Sequence, residues 1–232
     1  MSLKPCFIIL PGFAPDAVPT YKFKNQLELL GYQVIVSNFW GDKKITDFRQ
    51  LTASDCLKGI TAIIDQAKKD HQYLVGIGYS LGGALLIEYA KKYSKLDYLV
   101  SIGTPFKLKK RELISLGDFF LPIIYPIWHI FEKIKKLRLT PIGCTRMVVN
   151  FLEGDFLKNL EKVKTPIFFL HSKKDGVADY RAVSEFTKKF VQASREVNIF
   201  ENGNHAINHD IKMILENVLN LIRLNEKNEK VN

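Results

Sequence analysis

A serine framed by glycines, Gly78-Tyr79-Ser80-Leu81-Gly82, stands between an apolar run, Tyr73–Ile77, and a helix-like run, Ala84–Ala90. Strand, Gly-x-Ser-x-Gly and helix thus follow one another in that order. The five-residue pattern alone is common. On a sharp strand-to-helix turn it becomes a nucleophile elbow, which lifts the hydroxyl above the sheet. Such a turn forces unusual backbone angles on the serine and tolerates no side chains pressing from either side, hence the glycines. The hydroxyl then lies at the positive end of the following helix, where negative charge is favoured. Gly83 permits a further close approach of helix to strand. The plainer reading is a tight turn that packs a helix on a sheet, with Ser80 as a small filler. Choosing between them requires a base, an acid and an oxyanion site elsewhere in the chain.

The chain has five histidines: His71, His129, His171, His205 and His209. In a strand–elbow–helix protein the order is nucleophile, acid, base, so the base lies downstream of Ser80 and near the C-terminus. His205, in Glu201-Asn202-Gly203-Asn204-His205, follows the strand-like Val197–Phe200 on a Gly- and Asn-rich loop that presents an imidazole rather than burying it. His209 is the rival, but Asn208-His209-Asp210 opens the last helical run, Ile211–Leu224, and suits a helix start. His129 sits in an aromatic stretch and reads as packing; His171 ends a strand, where it could support a site from behind. The acid must orient the imidazole and stabilise its charged form. Pro166–His171 reads as a buried parallel strand, and Ser172-Lys173-Lys174-Asp175-Gly176 follows it, so Asp175 falls in a loop at the strand's carboxyl end. Asp179 is the alternative but suits capping the helix near Tyr180, and Asp155 precedes the strand. Asp-Gly is also an ordinary turn pair, the competing account of Asp175.

With these residues in place the chain resembles the α/β-hydrolase family, particularly small bacterial carboxylesterases and monoacylglycerol-lipase-like members. The resemblance covers nearly the whole chain: a first strand ending in Leu10-Pro11-Gly12-Phe13, the elbow at 78–83, the stretch 166–177, and Gly203-Asn204-His205 followed by Asp210. It implies a Ser80–His205–Asp175 triad and an oxyanion hole built from the backbone N–H groups of Phe13 and Leu81. The family usually has His-Gly where this chain has Pro11-Gly12, which removes a bracing side chain but keeps the backbone. Asn38-Phe39-Trp40-Gly41-Asp42 also departs from the family pattern, at residues that are structural there. The implied activity is hydrolysis of carboxylic esters through an acyl-enzyme, on acyl esters of small alcohols or glycerol. A thioesterase or amidase would use the same residues. A non-catalytic hydrolase-fold binding protein typically lacks one of the three, whereas all three candidates are present here.

The elements needed to position these residues are legible along the chain. At 232 residues and 47% hydrophobic, it suffices for one well-filled core and is short for two domains. Strands are expected at Cys6–Leu10, Gln33–Asn38, Tyr73–Ile77, Tyr98–Ile102, Ile167–His171 and Val197–Phe200. Helices are expected near Tyr21–Leu30, Ser54–Lys69, Ala84–Tyr93, Ala182–Phe190 and at the C-terminus. Alternation of this kind predicts a doubly wound, mostly parallel sheet with helices on both faces, in a single α/β-hydrolase-type domain without a long antiparallel edge. The polar tail Asn225–Lys230 reads as frayed.

The rhythm breaks between about 106 and 156, where the resemblance implies an inserted lid. Phe119–Phe131 is densely apolar but too short for a bilayer span of roughly 20 residues, and Pro122 and Pro126 interrupt it. Lys107, Lys109, Lys110 and Arg111 flank one side; Lys133, Lys135, Lys136 and Arg138 flank the other. An apolar roof over an acyl pocket is the functional reading, and a helical hairpin over the core the bland one. Contact of the basic flanks with anionic lipid is possible but not favoured. Thirty-four basic against 24 acidic residues give a net charge of +10. The lysines are spread along the chain and no nucleic-acid motif appears, so a solvated basic surface is expected rather than a nucleic-acid partner. Cys6, Cys56 and Cys144 form no metal-ligand pattern. No phosphate loop or dinucleotide fingerprint is present, so neither metal nor organic cofactor is expected. No targeting segment is visible, which makes the cytoplasm the default compartment. Oligomeric state is not legible.

Overall fold

Five apolar residues, Cys6–Leu10, form the first strand, β1, and every one of them is buried. Strands buried on both faces are those of a parallel sheet covered by helices. The computed structural model describes residues 4–12, 18–37, 52–109, 149–205 and 211–229. Their elements are β1, α1 (Val18–Leu29), β2 (Gln33–Val36), α2 (Ala53–Asp70), β3 (Leu74–Tyr79), α3 (Leu81–Ala90), β4 (Tyr98–Ile102), β5 (Ile167–Ser172), α4 (Tyr180–Phe186), β6 (Arg195–Phe200) and α5 (Ile211–Glu229). The six strands form one sheet in the order β2-β1-β3-β4-β5-β6, and every neighbouring pair is parallel. Antiparallel pairing among the described residues is limited to an isolated bridge between Leu108 and Ala178.

Successive strand side chains point to opposite faces, which divides the core in two. Cys6, Ile8, Leu10, Leu74, Leu99, Ile167 and Phe169 face α2, α3 and α4. Phe7, Ile9, Val75, Ile77, Val100, Phe168 and Leu170 face α1 and α5. The helices answer with their own periodicity. Cys56, Ile60, Ile64 and Ala67 make the buried stripe of α2, which Thr52 and Asp55 start with a reciprocal capping box. The middle helix α3 is buried along its whole length, covered by α2 on one side and the sheet on the other. The expected doubly wound sheet is therefore the observed one.

Chain direction reverses at β1: the chain steps outward to β2, then crosses back to β3 on β1's other side. In open parallel sheets the crevice at such a reversal, outside the strands' carboxyl ends, is where ligands bind. Register pairs Leu10 of β1 with Gly78 of β3, so Pro11-Gly12 and Ser80 leave the sheet side by side.

Boundaries differ from expectation in instructive places. The third strand runs on to Tyr79, and α3 starts at Leu81 rather than Ala84. Gly82 and Gly83 weaken helix propensity there but allow the helix to meet the sheet. The last helix continues to Glu229, so most of the tail read as frayed is helical; Glu226, Lys227 and Glu229 are good helix formers. Of the stretch 106–156, where a lid is expected, only 106–109 and 149–156 are described; the apolar stretch Phe119–Phe131 lies outside, as do Asn38–Asp42 and Cys144. The two described ends of that stretch meet: the rings of Phe106 and Phe156 stack at 5.4 Å. Among the described residues no helix is long and apolar enough to cross a membrane.

Candidate active site

Ser80 occupies the single residue between β3 and α3, at φ 50° and ψ −115°. Among the described residues only Ser80 and Asn159 are non-glycine residues with positive φ, a conformation costing about 1–3 kcal/mol that surrounding structure must impose. The Ser80 N–H donates to the Ile102 carbonyl of β4 at 2.8 Å, which fixes the turn. The glycines on either side are sterically required. A Cβ on Gly78 would run into the backbone of Gly82 and Gly83, and one on Gly82 would lie 2.5 Å from the carbonyl oxygens of Leu10 and Pro11. These contacts draw the β1 loop, the elbow and the α3 start into one junction.

Asp175 and His205 reach that junction from the ends of β5 and β6. The Ser80 hydroxyl is 2.8 Å from His205 Nε2, and His205 Nδ1 lies 2.9 Å and 3.0 Å from the Asp175 carboxylate oxygens. Asp175 is buried at 1% exposure, whereas the His205 side chain is 25% exposed, so the approach from solvent is on the imidazole side. The Asp175 loop is built by the carboxylate itself: Oδ1 accepts the N–H groups of Val177 (2.8 Å) and Ala178 (2.9 Å). It is thus both the turn residue and the residue facing the imidazole. Burial works to raise the Asp175 pKa; contacts with His171 and His205 and the Ala178 N–H overcome it and hold the carboxyl well below the usual range. It therefore stays ionised opposite an imidazole. In that geometry Nε2 is set to accept the Ser80 proton while the carboxylate fixes an Nδ1–H tautomer.

Of the two backbone donors expected for an oxyanion hole, Leu81 opens α3, so its N–H has no intrahelical acceptor and points from a helix N-terminus. Phe13 lies outside the described residues, one position beyond Gly12, whose Cβ position is 3.3 Å from that of Ser80. The rival residues are elsewhere. Asp179 caps α4 and pairs with Arg181 (Nε–Oδ1 2.9 Å, Nη2–Oδ2 2.9 Å), which keeps its carboxyl low. Asp155 begins a single 3-10 turn, His71 follows α2, and His129 and His209 lie outside the described residues. Among the described residues no three His, Cys, Asp or Glu side chains gather as a metal site.

Long-range ties around Asp175 had no local signal. Ser172 Oγ donates to the Gly203 carbonyl at 2.7 Å, joining the acid loop to the histidine loop. Lys109 Nζ donates to the Asp175 carbonyl at 2.6 Å across 66 positions, beside the Leu108–Ala178 bridge. Residues 108 and 109 are thereby stitched to the loop that carries Asp175.

No family model matches the chain, and no curated protein matches its sequence. Solved structures match its architecture along almost its full length. A structure of the metagenome-derived lipolytic enzymes LipS and LipT aligns with a TM-score of 0.75 at 18% identity, over 95% of this chain and 94% of that one. Carboxylesterases of the thaumarchaeon Nitrososphaera gargenis align at 0.70 and 13% identity, over 97% and 92%. Monoacylglycerol lipase of Paleococcus ferrophilus aligns at 0.68 and 14% identity, over 95% and 98%. The chain has the α/β-hydrolase fold.

Proposed function

We propose that the protein is a serine hydrolase that cleaves carboxylic esters through an acyl-enzyme. The observation that carries this reading is the 2.8 Å contact between Ser80 Oγ and His205 Nε2, backed by Asp175 on the far side of the imidazole. His205 Nε2 takes the Ser80 proton as Oγ attacks the ester carbonyl carbon, and the carbonyl π electrons move onto oxygen. The Leu81 N–H, with that of Phe13, receives the oxyanion; one such donor contributes about 3–4 kcal/mol to the transition state. The tetrahedral adduct collapses, the C–O bond to the alcohol breaks, and His205 returns its proton to the leaving oxygen. Water then attacks the acyl-serine with His205 as base again, releasing the acid and restoring Ser80. Asp175 stays ionised throughout and stabilises the imidazolium. We propose acyl esters of small alcohols or glycerol as substrates. The names of the lipolytic, carboxylesterase and monoacylglycerol lipase neighbours support that class.

The test is turnover of p-nitrophenyl esters from acetate to decanoate by the wild type and by Ser80→Ala. The expected result is hydrolysis by the wild type and background rates in the variant, with superimposable circular dichroism and melting curves. Wild-type turnover in Ser80→Ala, or no ester cleaved by the wild type, overturns the reading.

A further inference from the structure

Asp175 faces two imidazoles, and the hydrolytic cycle uses only one. His171, on β5 four residues upstream, is buried at 1% exposure, with Nε2 3.3 Å from Asp175 Oδ2. That nitrogen makes no well-aligned hydrogen bond with any described group, and Oδ2 stands within ion-pair distance of it. The same oxygen lies 2.9 Å from His205 Nδ1. Oδ1 is already occupied by the Val177 and Ala178 N–H groups, so Oδ2 is shared between the two rings. An unprotonated Nε2 would set a lone pair against a carboxylate oxygen in a buried place, which is strongly unfavourable.

We infer that His171 is a positioning residue for Asp175: a neutral imidazole protonated on Nε2, it holds Oδ2 in line with His205 and takes up part of the carboxylate's charge. This role rests on the serine-hydrolase reading and adds to it. Losing that contact frees Oδ2 to swing out of line with His205 Nδ1, so the cost falls on the chemical step rather than on substrate binding.

Lys109 meets the Asp175 carbonyl, Asp179 is paired with Arg181, and Lys173 with Glu201 at the surface. Neighbouring β4 carries no charged residue, β6 places Ile199 opposite His171, and Glu88 of α3 is paired with Lys91.

Two measurements test the role, one of them independent of turnover. In protein carrying 15N-labelled histidine, His171 is expected as the Nε2–H tautomer at pH 7. His171→Phe loses about tenfold in kcat with KM little changed, the scale of one hydrogen bond to a charged group. His171→Gln, whose amide nitrogen reaches the same position, restores kcat. If the phenylalanine variant does not fold, His171→Leu takes its place. An Nδ1–H tautomer for His171, or kcat unchanged in the apolar variant of an active wild type, overturns the inference. Failure of the hydrolase reading is distinguished by absent ester turnover in the wild type, which leaves the tautomer to decide the role of His171.

Discussion

Replacing Asp175 by asparagine removes one charge and almost no volume, and its effect can be worked out atom by atom. The asparagine carbonyl can still accept the Val177 and Ala178 N–H groups that Oδ1 accepts now, at 2.8 Å and 2.9 Å, so the loop should keep its shape. That leaves the amide NH2 where Oδ2 faces His205 Nδ1 at 2.9 Å. Oδ1, 3.0 Å from Nδ1, is already filled by two N–H groups and two donors cannot face each other, so the imidazole presents a bare Nδ1 and carries its proton on Nε2, against Ser80. A proton there blocks acceptance of the Ser80 proton, and no anion remains to stabilise an imidazolium. The same substitution in a serine-protease triad costs about 10⁴ in kcat, or about 5.4 kcal/mol at 1.36 kcal/mol per decade. The assay is kcat for a p-nitrophenyl butyrate series at pH 7, with Asp179→Asn as control, whose carboxylate serves α4 and Arg181 instead. Asp175→Asn within tenfold of wild type, or a larger loss from Asp179→Asn, would refute the assigned role of Asp175.

Acid stability should report the same carboxylate. Because the folded pKa of Asp175 lies below its unfolded value near 4, its stabilising effect is complete above about pH 4 and drains away as pH falls toward the folded value. Melting temperature should therefore drop below about pH 4 in the wild type and drop less in Asp175→Asn, as thermal melts at several pH values would reveal. In Gly82→Ala the new Cβ would press on the Leu10 and Pro11 carbonyls at 2.5 Å, where only backbone can yield. A loss of about 1–3 kcal/mol, lowering the melting point by roughly 2–12 °C, is expected together with reduced kcat. Lys91 lies nearly buried with Nζ 2.6 Å from Glu88 Oε2 and 2.7 Å from the Phe156 carbonyl. Lys91→Ala leaves that carboxylate only the longer contact with Lys92 Nζ at 3.9 Å and should cost up to about 3 kcal/mol in denaturant unfolding while kcat stays near wild type.

What the residues announce in advance is what depends on local chemistry. Ser80 was readable because its glycines are needed within two residues of it, by contacts as close as Gly82 against the Leu10 carbonyl. Asp175 and His205 were readable because each follows an apolar strand and chain order restricts their roles. The start of α3 was not, since Gly82 and Gly83 are poor helix formers whose placement is justified only by the sheet beneath them. Nor was the 2.6 Å bond from Lys109 to the Asp175 carbonyl, made by one of many similar lysines 66 positions away. The contact of His171 with Asp175 falls between these cases. The strand end suits His171 to a supporting place, but the turn that brings Oδ2 back toward β5, and so the contact itself, has no sequence signal.

The central claim is that Ser80, strained at φ 50° and bonded to His205, is an activated nucleophile. Incubation with a fluorophosphonate, followed by peptide mapping in a mass spectrometer, reads this directly, because phosphonylation requires an activated hydroxyl. The expected result is a single adduct on the peptide containing Ser80, lost in His205→Ala. An unlabelled Ser80, or an adduct formed equally well without His205, would contradict it.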